Sequence, residues 1–362
     1  MAPYFVDRWI RAVALVAIVT AGATGAGAQQ QKTADVAKRG LKPADFPRTK
    51  QLAPGVYSYE ALRAGDPGGQ MTTVSLIVIS NDGVLVADGQ GNVAQTKEMV
   101  DWIKKTTTQP IKYVIVCSDH GDHTGGNAAF PEGVTFVAHP TSKKVLDDAG
   151  KPPFVTEAVP HRRVIHLGTT DVEVLFLGRA HTGGDLEVYL PKEKVLFMSE
   201  AYLHWLFPAM RSAYGAEWIQ TLKNAETIDA IWYVPGHGFV DDAKTLKADL
   251  PAYRHALEQV VAEATRLHDA KVPCEAPQRG SGRGGGSTAS ATGATGTAGT
   301  SGRGSAGMGG SPQQRPPCAA VVQGNWGDLK NWTLYSSQVE TAVRRVYDEL
   351  DGKLPGGFGS IP

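Results

Sequence analysis

Ser118-Asp119-His120-Gly121-Asp122-His123-Thr124-Gly125-Gly126-Asn127 follows directly on the apolar run Tyr113-Val114-Ile115-Val116-Cys117. The run is short, rich in β-branched residues and bounded by polar ones, so it predicts a buried strand. The residues after it place two imidazoles and a carboxylate, His120, Asp122 and His123, within four positions on a glycine-loosened turn. Imidazole plus carboxylate is the ligand set of zinc or a related divalent ion. A single cluster of this kind also suits a solvated polar loop, so its meaning depends on what surrounds it.

Upstream, Thr73–Ile79 and Gly83–Asp88 flank Ser80-Asn81-Asp82 and read as a hairpin. Met99, Val100 and Ile103 give one side of a helix leading into the strand at Tyr113. Downstream, Val134–Ala138, Val164-Ile165 and Val172–Leu177 read as strands, and Glu187–Leu190 pairs with Val195–Met198 around Pro191-Lys192-Glu193-Lys194. Two late helices carry apolar faces, Tyr253, Leu257, Val260 and Ala264 on one, Val339, Val343, Val346 and Leu350 on the other. The spacing Ser337-Gln338-Val339-Glu340 predicts a capping box at the start of the second. Hairpins followed by strand-helix alternation, twice over, predict an α/β sandwich with strands inside and helices outside.

Three more chemistry-bearing stretches fall at strand ends, where α/β folds place functional groups. Leu177-Gly178-Arg179-Ala180-His181-Thr182-Gly183-Gly184-Asp185 puts a His after one strand. Phe197-Met198-Ser199-Glu200 puts a carboxylate after another. Ile231-Trp232-Tyr233-Val234-Pro235-Gly236-His237-Gly238 puts a His after a third, between glycines that permit close backbone approach.

In this order, over roughly Thr73 to Gly238, the four stretches resemble the metallo-β-lactamase superfamily of metal-dependent hydrolases. The resemblance implies a four-layered αβ/βα sandwich with a metal site at one edge between two sheets. The family's first motif is His-x-His-x-Asp-His, onto which His120, Asp122 and His123 map; His181 matches the third-motif His and His237 the last. Glu200 stands where a metal-bridging Asp is usual. Asp88, closing the amino-terminal hairpin in Val86-Ala87-Asp88-Gly89, matches an Asp that supports the site from behind a ligand.

Two residues depart from the pattern. Ser118 replaces the first motif His, and Glu200 replaces Asp. A protonated serine hydroxyl is a poor zinc ligand, so Ser118 is expected to line the site or hold a water. Glu200, one methylene longer than Asp, can reach across to supply the missing ligand. The expected arrangement is one tight ion at Asp122-His123-His237 and a second, weaker one at His120-His181-Glu200, zinc first, with manganese or iron as alternatives. Asp122 and His120 are the candidate catalytic residues, and Asp122 or a metal-bound water is the candidate proton donor to a leaving group.

The implied activity is hydrolysis of an ester, lactone or related carbonyl bond of a small molecule. A β-lactamase and a non-catalytic metal- or ligand-binding protein are the alternatives. After Glu200, an aromatic stretch containing His204, Trp205, Arg211 and Tyr214 can floor a substrate pocket, although such residues also pack a loop into a core.

At the amino terminus, Arg8 and Arg11 precede an alanine-rich apolar run ending in Gly25-Ala26-Gly27-Ala28. It reads as a signal peptide over residues 1–28, delivering the mature protein to the periplasm or outside the cell, with no membrane contact after cleavage. The catalytic domain is expected over 29–275. Residues 276–317, rich in Gly, Ser and Thr, read as a flexible insert, and 318–362 as a helix packing back on the same domain. Cys274 and Cys318 flank the insert and can form a disulfide in an oxidising compartment, while Cys117 reads as a buried free thiol.

The 36 basic and 36 acidic side chains of the 362-residue chain balance to a formal charge of zero. The export segment holds +1 and the insert +4, leaving the folded part at −5. An acidic body without a basic stripe argues against nucleic-acid partners, and the expected partner is a small-molecule substrate.

Overall fold

The computed structural model describes residues 32–64, 71–150, 152–274 and 316–354. The expected export segment lies outside them, as does the expected insert apart from Pro316 and Pro317. The first half of the chain builds β1 (Arg48–Ala53), β2 (Val56–Leu62), β3 (Thr72–Ile79), β4 (Val84–Ala87), α1 (Val93–Thr106), β5 (Ile111–Val116), the single turn α2 (Gly121–Thr124), β6 (Thr135–Ala138), α3 (Pro140–Asp148) and β7 (Glu157–Ala158). The second builds β8 (Arg162–Leu167), β9 (Thr170–Leu175), β10 (Glu187–Leu190), β11 (Val195–Leu203), α4 (Gly215–Glu226), β12 (Trp232–His237), α5 (Ala243–Asp269), α6 (Ala319–Gln323) and α7 (Tyr335–Leu350).

Hydrogen bonding orders the strands β7-β6-β5-β4-β3-β12-β11-β10-β9-β8, with β2 also on β3 and β1 beyond it. The two halves of this curled sheet meet through one residue pair, His237 with Thr73. Strands β4, β5 and β6 pair in parallel and are covered on both faces, which explains their unbroken apolar runs. Val84, Val86, Val114, Val116 and Phe136 pack with Met99, Val100 and Ile103 of α1. Their alternates, Leu85, Ala87, Ile115, Cys117 and Val137, join Val172, Val174, Val188 and Leu196 of the other half in the central core. That core extends to Trp218 and Leu222 of α4, Leu257 and Val260 of α5 and Val343 of α7. Helix, sheet, sheet and helix stack as the four-layered αβ/βα sandwich.

The hairpin around residues 80–83 forms with Ile79 opposite Val84, and Leu190 faces Val195 across the tip of β10 and β11. Helix α7 differs from expectation at both ends. It begins at Tyr335, two residues before Ser337, because Leu334 turns the chain with a left-handed φ of 68°. Ser337 Oγ therefore donates to Leu334 O (3.0 Å), and Glu340 accepts from Cys318 N (3.1 Å) and pairs with Arg344, so no capping box forms. Leu350, on the last turn, is exposed rather than on the buried stripe. Cys274 and Cys318 are disulfide-bonded, and Cys117 is a buried free thiol.

Candidate metal centre

The single pair joining the half-sheets brings the ends of β3, β4, β5, β11 and β12 together, and the expected residues converge there. Gly236 lets β12 come close to β11: a Cβ on it would lie 2.6 Å from Ser199 O and 2.8 Å from Glu200 N. The ladder between these strands slips at Ser199, whose φ of 44° turns Glu200 out of the regular pleat. Asp88 also has a left-handed φ, 61°. Non-glycine residues are rarely held there, and such conformations concentrate at functional sites. The two are coupled, since Ser199 Oγ donates to Asp88 Oδ2 while Cys117 N donates to Asp88 Oδ1 (2.8 Å).

Glu200 sits at the middle of the cluster, 3% exposed. Its Oε2 lies 3.0 Å from His120 Nδ1 and 2.9 Å from His181 Nδ1, and accepts from Ser118 Oγ. Its Oε1 lies 3.2 Å from His237 Nε2 and 3.7 Å from His123 Nε2. Asp122 Oδ2 is 3.3 Å from His237 Nε2 and accepts from Arg63 Nε at 2.5 Å. The donor atoms therefore form two groups, Asp122-His123-Glu200-His237 and His120-His181-Glu200, each within 4.8 Å of one another. Glu200 belongs to both groups, whereas the sequence had assigned it to one.

The chemistry of these donors tests whether a cation fits. His237 Nδ1 faces Thr72 O at 2.7 Å, an atom that only accepts, so Nδ1 carries a hydrogen. His123 Nδ1 lies 3.0 Å from Asp88 Oδ2, bent from the ideal line, and faces an acceptor in the same way. In their neutral forms both rings then point Nε2 lone pairs at each other across 3.2 Å and at two carboxylates. The buried His181 Nδ1 likewise meets Glu200 Oε2 without an aligned hydrogen bond. Only cations or added protons relieve so many opposed lone pairs, so the residues fit divalent ions of the zinc type.

Without an ion, protons take that role. Burial opposes charge on His237, but hydrogen bonds to Asp122 and Glu200 prevail and raise its pKa to about 10. Burial opposes charge on His120 as well, and Glu200 outweighs it, giving about 9. Burial would raise Glu200, yet the surrounding imidazoles, His181 first, hold it well below the usual carboxylate range. For Asp122, burial is outweighed by the hydrogen bond with His237 and the pKa falls. His181 goes the other way, lowered because burial exceeds the pull of Glu200.

Other candidates are placed differently. His204 is buried with Nδ1 2.9 Å from Phe239 O and Nε2 3.0 Å from Asp249 Oδ2, and Trp205 Nε1 donates to the same carboxylate oxygen at 2.9 Å. Their polar atoms are occupied by the fold. Arg211 is exposed, and Tyr214 lies under the Arg179 guanidinium at 3.9 Å beside Gly183. His139, near the site in topology, caps α3 by accepting from Thr141 N (3.2 Å) and stacks on Phe176. Sequence reasoning did not find Arg63, Ser199 or Ser212, whose Oγ lies 3.4 Å from His120 Nε2. Arg63 and Ser212 lie outside the four stretches, and Ser199 lies inside one next to the Glu200 that drew attention to it.

No family model matches the chain. It is 26% identical over 209 residues to a type 2 metallo-β-lactamase of Bacteroides fragilis, an alignment covering 56% of this chain and 84% of the relative. It is 25% identical over 146 residues to the 2,4-dinitroanisole O-demethylase subunit alpha of a Nocardioides strain, covering 39% and 44% of the two chains. Among solved structures, a metallo-β-lactamase from Pontibacter korlensis superposes with a TM-score of 0.52 at 22% identity, over 57% of this chain and 98% of that one. The sandwich, its motif order and these likenesses all support the metallo-β-lactamase superfamily as the one this chain resembles.

Proposed function

We propose that the protein is an exported metal-dependent hydrolase that opens an ester, lactone or related carbonyl bond of a small molecule, with zinc as its ion. The observation that carries this reading is the pair of buried donor groups sharing Glu200. Asp122, His123 and His237 would hold the tighter ion and His120 and His181 the second, with Glu200 a donor in both groups. Ions bound there would lower the pKa of a coordinated water to about 7 and polarise a substrate carbonyl.

The chain's own residues do the rest. Asp88 holds the His123 ring in orientation through Nδ1, and Thr72 O does the same for His237. Ser118 donates to Glu200 and leaves its second carboxylate oxygen, Oε1, toward His123 and His237. Asp122, held anionic beside His237 and ion-paired with Arg63, is the candidate to take a proton from the attacking water and pass it to the leaving group. Arg211 is the candidate for an anionic substrate group near the site, and Tyr214 for its wall.

β-Lactam hydrolysis is the second reading, favoured by the Bacteroides fragilis relative. Ester or lactone chemistry is preferred because Ser118 and Glu200 alter the ligand set. A panel of aryl esters, lactones and β-lactams, turned over by zinc-, manganese- and iron-loaded protein with metal content measured on each sample, tests this. Turnover of an ester or lactone with silence on β-lactams supports the first reading; β-lactam turnover alone replaces it with the second. Metal-bound protein silent on the whole panel favours a binding role.

A further inference from the structure

The segment after the Gly/Ser-rich stretch reaches back to the rim of the metal centre. Arg345 of α7 donates through Nε to Ala213 O (2.6 Å) and through Nη2 to Ser212 O (3.1 Å). Its guanidinium stacks with Tyr214 at 5.3 Å, and Glu349 one turn on accepts from Gly215 N (2.9 Å), the first residue of α4. The loop thus held lies outside any helix or strand. Tyr214 N donates to Ala180 O (3.0 Å), tying the loop to the stretch that carries His181. Ser212 Oγ lies 3.4 Å from His120 Nε2, while His120 Nδ1 faces Glu200.

We infer that Ser212 and Arg345 are positioning residues for the centre formed by His120, His181 and Glu200. The Ser212 hydroxyl accepts the His120 Nε2 hydrogen, which fixes the tautomer whose Nδ1 lone pair is free to ligate. Arg345, by gripping two successive carbonyls, keeps that hydroxyl in place. A chain segment separated in sequence from all four motifs thereby sets the occupancy of one metal centre and leaves the other alone. The inference rests on the metal-centre reading above.

The test is zinc affinity at each site, measured by competition with a chromophoric chelator on the full chain, alongside thermal unfolding. Ser212→Ala and Arg345→Met should each weaken the weaker site about 10-fold and spare the tighter one. The double variant should lose no more than either single one, since both act along one path. Ser212→Thr, which keeps the hydroxyl, should restore wild-type affinity. Wild-type protein binding two ions, with Ser212→Ala unchanged at the weaker site, overturns the inference. So does an Arg345→Met effect on both sites in proportion to lost thermal stability. Wild-type protein binding no ion overturns the underlying reading instead.

Discussion

His123 and His237 present the same problem twice: each commits Nδ1 to an acceptor and aims Nε2 into a space shared with carboxylates. Asp88 is the residue whose removal separates orientation from ligation, because it touches His123 and no ion. Asp88→Asn keeps the shape but weakens the acceptor, and zinc retention against a chelator should fall about 10- to 100-fold. The protonation states give a second outcome. With His237 near 10 and His120 near 9, both are charged at pH 7.5 in ion-free protein, and ligation requires both to lose a proton. Zinc titration should therefore release about two protons per chain, read by calorimetry in buffers of different ionisation enthalpy. Absence of proton release would show that these imidazoles are not the ligands.

Among the elements, β11 and β12 matter most, since their close approach at Gly236 sets where Glu200 stands. Gly236→Ala would drive a methyl group into the backbone of Ser199 and Glu200. Overpacking of that kind costs on the order of 3 kcal/mol, measurable as a lowered denaturation midpoint together with lost zinc binding. The four loops that converge at the candidate centre were legible in the sequence because their polar side chains are local: each follows an apolar run within a few residues. Arg63, Ser212 and Arg345 were not, because their contacts with Asp122, His120 and Ser212 span 59, 92 and 133 positions and leave no local pattern. The start of α7 was misread for a related reason. Its apparent capping box was outweighed by the left-handed turn at Leu334 and by tertiary partners of Glu340.

Across the whole molecule, the sandwich architecture followed from strand-helix alternation and the motif order, while the fixing of the carboxy-terminal segment became visible only in three dimensions. The Cys274–Cys318 bond ties that segment to the chain end of α5, bridging a separation of 44 positions. On chain entropy alone, closing such a loop is worth about 4 kcal/mol. Replacing both cysteines by serine should lower unfolding free energy by up to that amount, without changing the tighter metal site. The central claim is that the acidic body holds two divalent ions around one shared carboxylate. Elemental analysis of zinc-loaded, exhaustively dialysed protein tests it most directly. The account gives two zinc ions per chain, falling to at most one in Glu200→Ala and below one in Asp122→Ala with His237→Ala. Substoichiometric zinc in wild type, unchanged by these substitutions, would contradict it.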